Sequence, residues 1–222
     1  MCGRKTLTGD MFSIIEELAI EEWEDPDRYF PSYNIAPTQL SPVMVQPGKR
    51  VVKLMRWGLI PFWAKDESIG SKMINARSET LLEKPSYKNL VPGKRCVVIT
   101  DGYYEWKKEG GRKIPYYIHH REGKLIPMAG LWDKWRSPEG KTIFTYTVIT
   151  TEPMDSIAHI HNRMPVILSH EHLDIWTNTS VHPHKDALQL LKPYHGTLEA
   201  YPVSTFVNSP RNNSPACIEP TH

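Results

Sequence analysis

The sequence predicts an α+β protein built around a mostly antiparallel, barrel-like β-sheet with short flanking helices. Apolar and β-branched runs recur far more often than helical periodicities, and the strands do not alternate regularly with helices. Nineteen prolines and thirteen glycines punctuate the chain at short intervals. At 222 residues, 40% hydrophobic and 23% charged, the chain is long enough to bury one full core. We read 1–222 as a single domain, with 207–222 (VNSPRNNSPACIEPTH) an extended C-terminal tail on its surface.

From the N-terminus, Gly9 to about Trp23 spaces Phe12, Ile15 and Leu18 or Ala19 along one helical face, with Asp10 as N-cap. A Pro-punctuated stretch follows. It leads to a hairpin from Val43–Val45 to Val51–Met55 across Pro47-Gly48. Further strands are expected at Arg95–Thr100, Pro115–His119, Ile126–Trp132, Ile143–Thr150 and Pro165–Leu168. Short helices are expected near Ser78–Glu83, Met154–Ala158, Glu171–Thr177 and His184–Leu191, the last ended by Pro193.

Composition narrows the function. No stretch approaches the roughly 18–20 apolar residues of a membrane span, and residues 1–30 do not read as a secretory leader. The expectation is a cytoplasmic protein with no membrane partner. Cys2, Cys96 and Cys217 form no C-x-x-C pair, so neither a disulfide framework nor a zinc ribbon is expected. Cys96 reads as a buried strand residue. His170-x-His172 and His182-x-His184 lack carboxylate or thiolate partners at ligand spacing, so no metal or other cofactor is expected. Net charge is +2, but residues 16–27 hold seven of the 25 acids, leaving 27 bases against 18 acids elsewhere. That asymmetry leaves a face available to phosphates, or simply two solvated faces.

The chemistry starts at Met1-Cys2-Gly3-Arg4. Removal of Met1 leaves Cys2 as a 1,2-aminothiol, with an amine of reference pKa about 7.7–8.0 and a thiol of about 8.5. An aldehyde is its natural electrophile: the amine forms an imine, and the thiolate closes it to a thiazolidine. Asn75 and Arg77 lie two residues apart, on one face if extended, pairing an amide for a hydroxyl or carbonyl with a guanidinium for phosphate. Glu105 sits between Tyr104 and Trp106 after an apolar strand, where apolar neighbours raise a carboxyl pKa. Trp106 offers a stacking face, and Lys107 or Lys108 a phosphate contact. His161 and Arg163 offer a titratable imidazole beside a guanidinium. The Arg56–Trp63 segment holds aromatics that serve either as stacking platforms or as core.

Taken in order, Met-Cys-Gly-Arg at 1–4, Tyr-Asn-Ile-Ala-Pro at 33–37, Arg-Trp-Gly-Leu-Ile-Pro at 56–61, Ile-Asn-Ala-Arg at 74–77, Gly-Tyr-Tyr-Glu-Trp at 102–106 and His-Asn-Arg-Met-Pro at 161–165 resemble the SOS response-associated peptidase (SRAP) family. The resemblance implies the SRAP fold and a nucleoid-associated sensor of abasic sites in single-stranded DNA that crosslinks the lesion through Cys2; a monomer is the simplest expectation. By motif position it implies that Asn75 holds the opened sugar, Glu105 moves protons, and His161 assists sugar opening and Schiff-base chemistry. Arg4, Arg77 and Arg163 are then phosphate contacts, Pro37 and Trp106 stack against or wedge bases, and Gly3 permits close backbone approach. It also implies removal of Met1, by the chain itself or by an aminopeptidase, and allows lyase activity through the same imine. Two other readings stand beside it: a cysteine peptidase acting in trans, and a noncovalent reader of single-stranded DNA. Position 5 departs from the family, being Lys5 where many relatives carry an aromatic. It either alters packing beside Cys2 or adds a phosphate contact.

Overall fold

The computed structural model describes residues 2–46 and 48–221. Met1, whose removal the aminothiol chemistry requires, and Pro47 of the predicted hairpin turn lie outside the described residues. In chain order the elements are β1 (Lys5–Leu7), α1 (Met11–Leu18), β2 (Glu22–Trp23), β3 (Ser32–Ile35), β4 (Leu40–Val45), β5 (Val51–Trp57), β6 (Asn75–Arg77), α2 (Pro85–Lys88), β7 (Arg95–Val98), β8 (Gly102–Glu109), β9 (Arg112–His120), β10 (Met128–Arg136), β11 (Thr142–Thr151), β12 (Met164–Pro165), α3 (Leu173–Thr177), α4 (His184–Leu188) and β13 (Leu198–Pro202).

Strands β11, β10, β7, β4 and β5 pair in that order, and β5 returns to β11 through a parallel contact of Arg56 and Trp57 with Thr145 and Tyr146. The result is a closed five-stranded mixed barrel, which removes its own edges. By register one pleat face carries Val43, Met55, Trp57, Cys96, Val98 and Tyr146 and the other Met44, Val97 and Leu131, and the side chains of both sets are fully buried. Each such side chain contributes roughly 1.5–3 kcal/mol of apolar burial. Trp57 stacks on Tyr146 at 6.2 Å and donates through Nε1 to the Ile74 carbonyl at 3.0 Å. Gly58, next in sequence, has φ +121°, and a Cβ there would collide with the Gly70 carbonyl, so the turn leaving β5 requires glycine.

A second, antiparallel sheet has the order β13-β9-β8-β1-β3. It carries the N-terminal segment, because β1 is clamped between β8 and β3. The Asp101 carboxylate fixes that clamp, accepting from Thr6 Oγ1 at 2.5 Å and from Thr8 Oγ1 at 2.7 Å. Residues Thr205–Asn208 and Pro215–Cys217 form short 3-10 turns whose Val207 and Cys217 are buried. Asn34 holds this segment by donating to the carbonyls of Val207, Ser209 and Asn212.

The predicted α+β, barrel-like architecture is the observed one, and the β4–β5 hairpin pairs as expected. The first helix is shorter than the Gly9–Trp23 expectation. Asp10 caps it through the amides of Phe12 and Ser13, but Ala19 turns left-handed (φ 48°) and ends it at Leu18. Glu22 and Trp23 instead join β5 as parallel β2. The buried face is also rotated, being Ile14 and Leu18, while Phe12 is 76% exposed. The expected helix at Met154–Ala158 is a single turn, closed by the Ile157 and Ala158 amides on the Met154 carbonyl. At Ser78–Glu83 only a 3-10 turn, Ser78–Thr80, forms.

Arg95 is buried on β7 and donates to four carbonyls: Trp176 at 2.6 Å, His182 at 2.7 Å, Val91 at 2.9 Å and Pro92 at 3.1 Å. It ties the α3 region to the barrel wall. Arg95→Met keeps the apolar stem but orphans those acceptors. The expected loss is about 3 kcal/mol, read as a fall of roughly 6–12 °C in the thermal unfolding midpoint.

Candidate active site

The two sheets bring the chemically active segments together around the residues that precede β1. Cys2 is fully buried. Its carbonyl accepts from Asn75 Nδ2 at 2.8 Å, and Asn75 Oδ1 is buried with no partner among the described residues. Asn75 opens β6, which runs parallel to β11 at Val148. Strand geometry then turns Ala76 inward to full burial and leaves Arg77 exposed beyond it, as the two-residue spacing predicts.

Glu105 lies on β8, opposite Tyr116 of β9, with only 3% of its side chain exposed. Burial pushes its carboxyl up to about 7. His161 Nε2 stands 4.0 Å from Glu105 Oε2. Its Nδ1 accepts from the Arg163 amide at 3.1 Å, which places the proton of the neutral ring on Nε2, toward the carboxyl. Burial lowers the His161 pKa, so the ring is neutral at physiological pH. Burial, and after it the nearby Glu105 charge, push the Cys2 thiol up to about 12. Cys2, Asn75, Glu105 and His161 are therefore one cluster, with a carboxyl set at about 7, an imidazole pulled down by burial and a thiol pushed up by it.

A groove of about 730 Å³ opens beside this cluster, lined by Glu105, Trp106, Lys107, Lys108, Lys113 and His161 among others. Lys108 and Lys113 face each other across the β8–β9 ladder. Lys113 was not legible from the sequence as a groove residue, since only the hairpin register brings it there. Trp106 lies half-buried on the wall and donates through Nε1 to Asn208 Oδ1 at 2.8 Å.

The three candidate arginines differ. Arg77 is exposed. Arg4 donates to Asn34 Oδ1 and the Val207 carbonyl, each at 2.7 Å, and lies over the Trp106 ring at 5.8 Å. Arg163 forks onto the Glu79 carboxylate at 2.6 and 3.0 Å and reaches the Thr150 carbonyl at 2.6 Å. Arg4 and Arg163 thus brace the groove walls with much of their donor capacity. Pro37 and Gly3 are half-buried. Lys5 is fully buried and donates to Ser41 Oγ at 2.7 Å, so of its two alternatives the phosphate contact is not the one seen in this structure. In the Arg56–Trp63 segment, Trp57 is core while Phe62 and Trp63 are 68% and 49% exposed. Among the described residues no cluster of three or more His, Cys, Asp or Glu could hold a metal, and no helix is long and apolar enough to cross a membrane.

Residues 1–210 match the model of the SOS response associated peptidase (SRAP) family. The chain is 48% identical over 224 residues to the abasic site processing protein YoqW of Bacillus subtilis, covering 99% of each. It is 38% identical to the abasic site processing protein HMCES of Gallus gallus, covering 90% of this chain and 69% of that one. A crystal structure of a protein from Bacteroides thetaiotaomicron superposes with a TM-score of 0.88 at 28% identity, over the full length of both chains.

Proposed function

The chain belongs to the SOS response associated peptidase (SRAP) family, and from that premise we propose that it processes abasic sites in single-stranded DNA by covalent capture through Cys2. The observation that carries the reading is the cluster itself: Cys2 anchored by Asn75 and coupled to a buried carboxyl that ionises at about 7, with a neutral imidazole 4.0 Å from that carboxyl.

An abasic deoxyribose in its open form presents an aldehyde. The α-amine uncovered by loss of Met1 adds to that carbon, water leaves, and the Cys2 sulfur closes the imine to a thiazolidine. In this reading Asn75 Oδ1, buried with no partner among the described residues, accepts from a sugar hydroxyl. Glu105 in its acid form gives the proton that lets the hydroxyl of the carbinolamine leave as water, and His161 assists ring opening of the sugar. Trp106 and the lysines Lys108 and Lys113 supply a stacking face and positive charge along the groove, the combination that binds single strands. Removal of Met1, with Cys2 as nucleophile and Glu105 or His161 moving the proton, belongs to the same reading, as does lyase activity through the imine. A protease acting in trans needs an open cleft at its nucleophile, whereas Cys2 is shut off from solvent. Capture in turn requires that uncovering the α-amine also opens the sulfur.

The test is to mix protein whose N-terminal residue is confirmed as Cys2 with single-stranded DNA bearing one abasic site, and to run it on a denaturing gel. A heat-stable shifted band is expected. It should vanish when methoxyamine has capped the aldehyde and should be absent with intact DNA. No band from the uncapped lesion overturns the reading.

A further inference from the structure

Glu79 is a carboxylate beside the site that the capture chemistry leaves unused. It sits in the Ser78–Thr80 turn that follows Asn75 and Arg77 of β6. Strand β11 carries β6 on one side and β12 on the other, and both registers meet at Thr150, which pairs with Arg77 of β6 and with Pro165 of β12. Glu79 lies two residues past Arg77, and Arg163 two residues before Pro165. The parallel sense of β6 and the antiparallel sense of β12 therefore bring both residues to the same level, just beyond the end of β11 at Thr151.

There they pair. Arg163 donates through Nη1 and Nη2 to the two Glu79 oxygens at 2.6 and 3.0 Å, and Nη2 also reaches the Thr150 carbonyl at 2.6 Å and Thr150 Oγ1 at 3.2 Å. A forked arginine–carboxylate pair fixes orientation as well as distance. The Arg163 side chain is nearly buried, and its Nε has no partner among the described residues. The hydrogen bond from Arg163 in turn holds the Glu79 carboxyl below its usual range. The backbone of the same arginine faces the chemistry. Its amide donates to His161 Nδ1 at 3.1 Å, and His161 Nε2 stands 4.0 Å from Glu105 Oε2. His161 and Asn162 line the groove, whereas Arg163 and Glu79 are not among its lining residues.

We propose that Glu79 is a positioning residue for His161: its fork with Arg163 clamps the 161–163 segment to the end of β6, and with it the amide that fixes the tautomer and aim of the imidazole. The proposal rests on the capture reading, in which His161 assists opening of the sugar, and adds the group that holds the ring for that step. The clamp joins the strand of Asn75, which holds the Cys2 carbonyl, to the segment of His161. Without the carboxylate the Arg163 guanidinium keeps only the Thr150 oxygens. A cation so poorly answered turns toward water and takes its backbone amide with it.

Glu79→Gln tests this, because glutamine keeps the size and one acceptor oxygen but not the charge. Glu79 is half-exposed, so the variant is expected to keep the fold, checked by circular dichroism. All proteins carry Cys2 as N-terminal residue, and crosslinking is followed with saturating single-stranded DNA bearing one abasic site. Glu79→Gln should slow the crosslink about tenfold, on the scale of a displaced proton-transfer group. Its Kd for the same DNA with the aldehyde capped by methoxyamine should stay that of the parent. In a His161→Gln background, Glu79→Gln should slow the reaction by less than about twofold further, as residues acting through one group do. Glu79→Asp, which keeps the charge on a shorter stem, should recover part of the rate. The ring itself is read by long-range 1H–15N NMR of the free protein near neutral pH, the His161 signals being those lost in His161→Gln. The parent should carry the proton on Nε2, and Glu79→Gln should show a mixture of the two tautomers. Full multiplication of the two effects in the double variant, or an unchanged tautomer in Glu79→Gln, overturns the assignment. So does tighter binding of the capped DNA with no loss of rate, which would mean that Glu79 masks Arg163 as a phosphate ligand. Absence of any crosslink in the parent sinks the capture reading, while the spectra still report whether Glu79 sets the ring.

Discussion

Cys2→Ala, prepared with residue 2 as the N-terminus and checked by intact mass, is expected to lose the heat-stable DNA crosslink by more than about 100-fold. The α-amine survives this change, so the first half of the chemistry should too: an imine forms with the abasic aldehyde and hydrolyses again. Sodium borohydride added during the reaction reduces that imine to a secondary amine. The band should then return in Cys2→Ala, while the parent should need no reductant. This separates the amine's role from the sulfur's within one experiment. A borohydride-independent band of equal strength in Cys2→Ala would mean that another group makes the bond, and loss of the band even with borohydride would mean that the terminal amine is not the nucleophile.

The parts of this site that were legible in the sequence are those whose chemistry is local. The thiol at residue 2, the apolar flanks of Glu105 and the alternation Asn75-Ala76-Arg77 depend on near neighbours, and the structure buries Glu105 and Ala76 and exposes Arg77. Asp10 was readable as a cap for the same reason, since its bonds reach only to Phe12 and Ser13. What could not be read depends on contacts remote in sequence. Arg163 looks like a free phosphate ligand until the fold brings Glu79 against it, 84 residues away. Arg4 is committed to Val207, 203 residues away. Strand β1 escaped notice because both its faces are covered, so Lys5-Thr6-Leu7 shows no polar–apolar alternation. The end of α1 is set by Ala19 adopting a left-handed conformation, and by Arg50, whose carbonyl then takes the amides of Glu21 and Glu22. No residue in the Gly9–Trp23 run announces that stop.

Glu105→Gln carries the second large effect, expected as a slowing of crosslink formation by about 100- to 1,000-fold, the usual worth of a placed proton-transfer group. The side chain keeps its size and remains buried beside His161, but it no longer titrates. Because burial sets the carboxyl at about 7, the acid form that expels water from the carbinolamine is lost as pH rises through that value. The parent's rate should therefore fall on the alkaline side of about pH 7, and Glu105→Gln should lack that limb. Stability should move the other way. A carboxyl whose folded pKa is raised from 4.5 to about 7 contributes stability that is complete below the unfolded value and is lost as pH rises through the folded one. Above pH 7 the parent holds a buried carboxylate that the variant does not. Glu105→Gln is thus expected to unfold at a higher temperature than the parent at pH 8 and to show little advantage at pH 4.5. Slower chemistry in a more stable protein places the defect in proton transfer. A variant that is slow and also less stable at pH 8 would assign Glu105 to holding the fold.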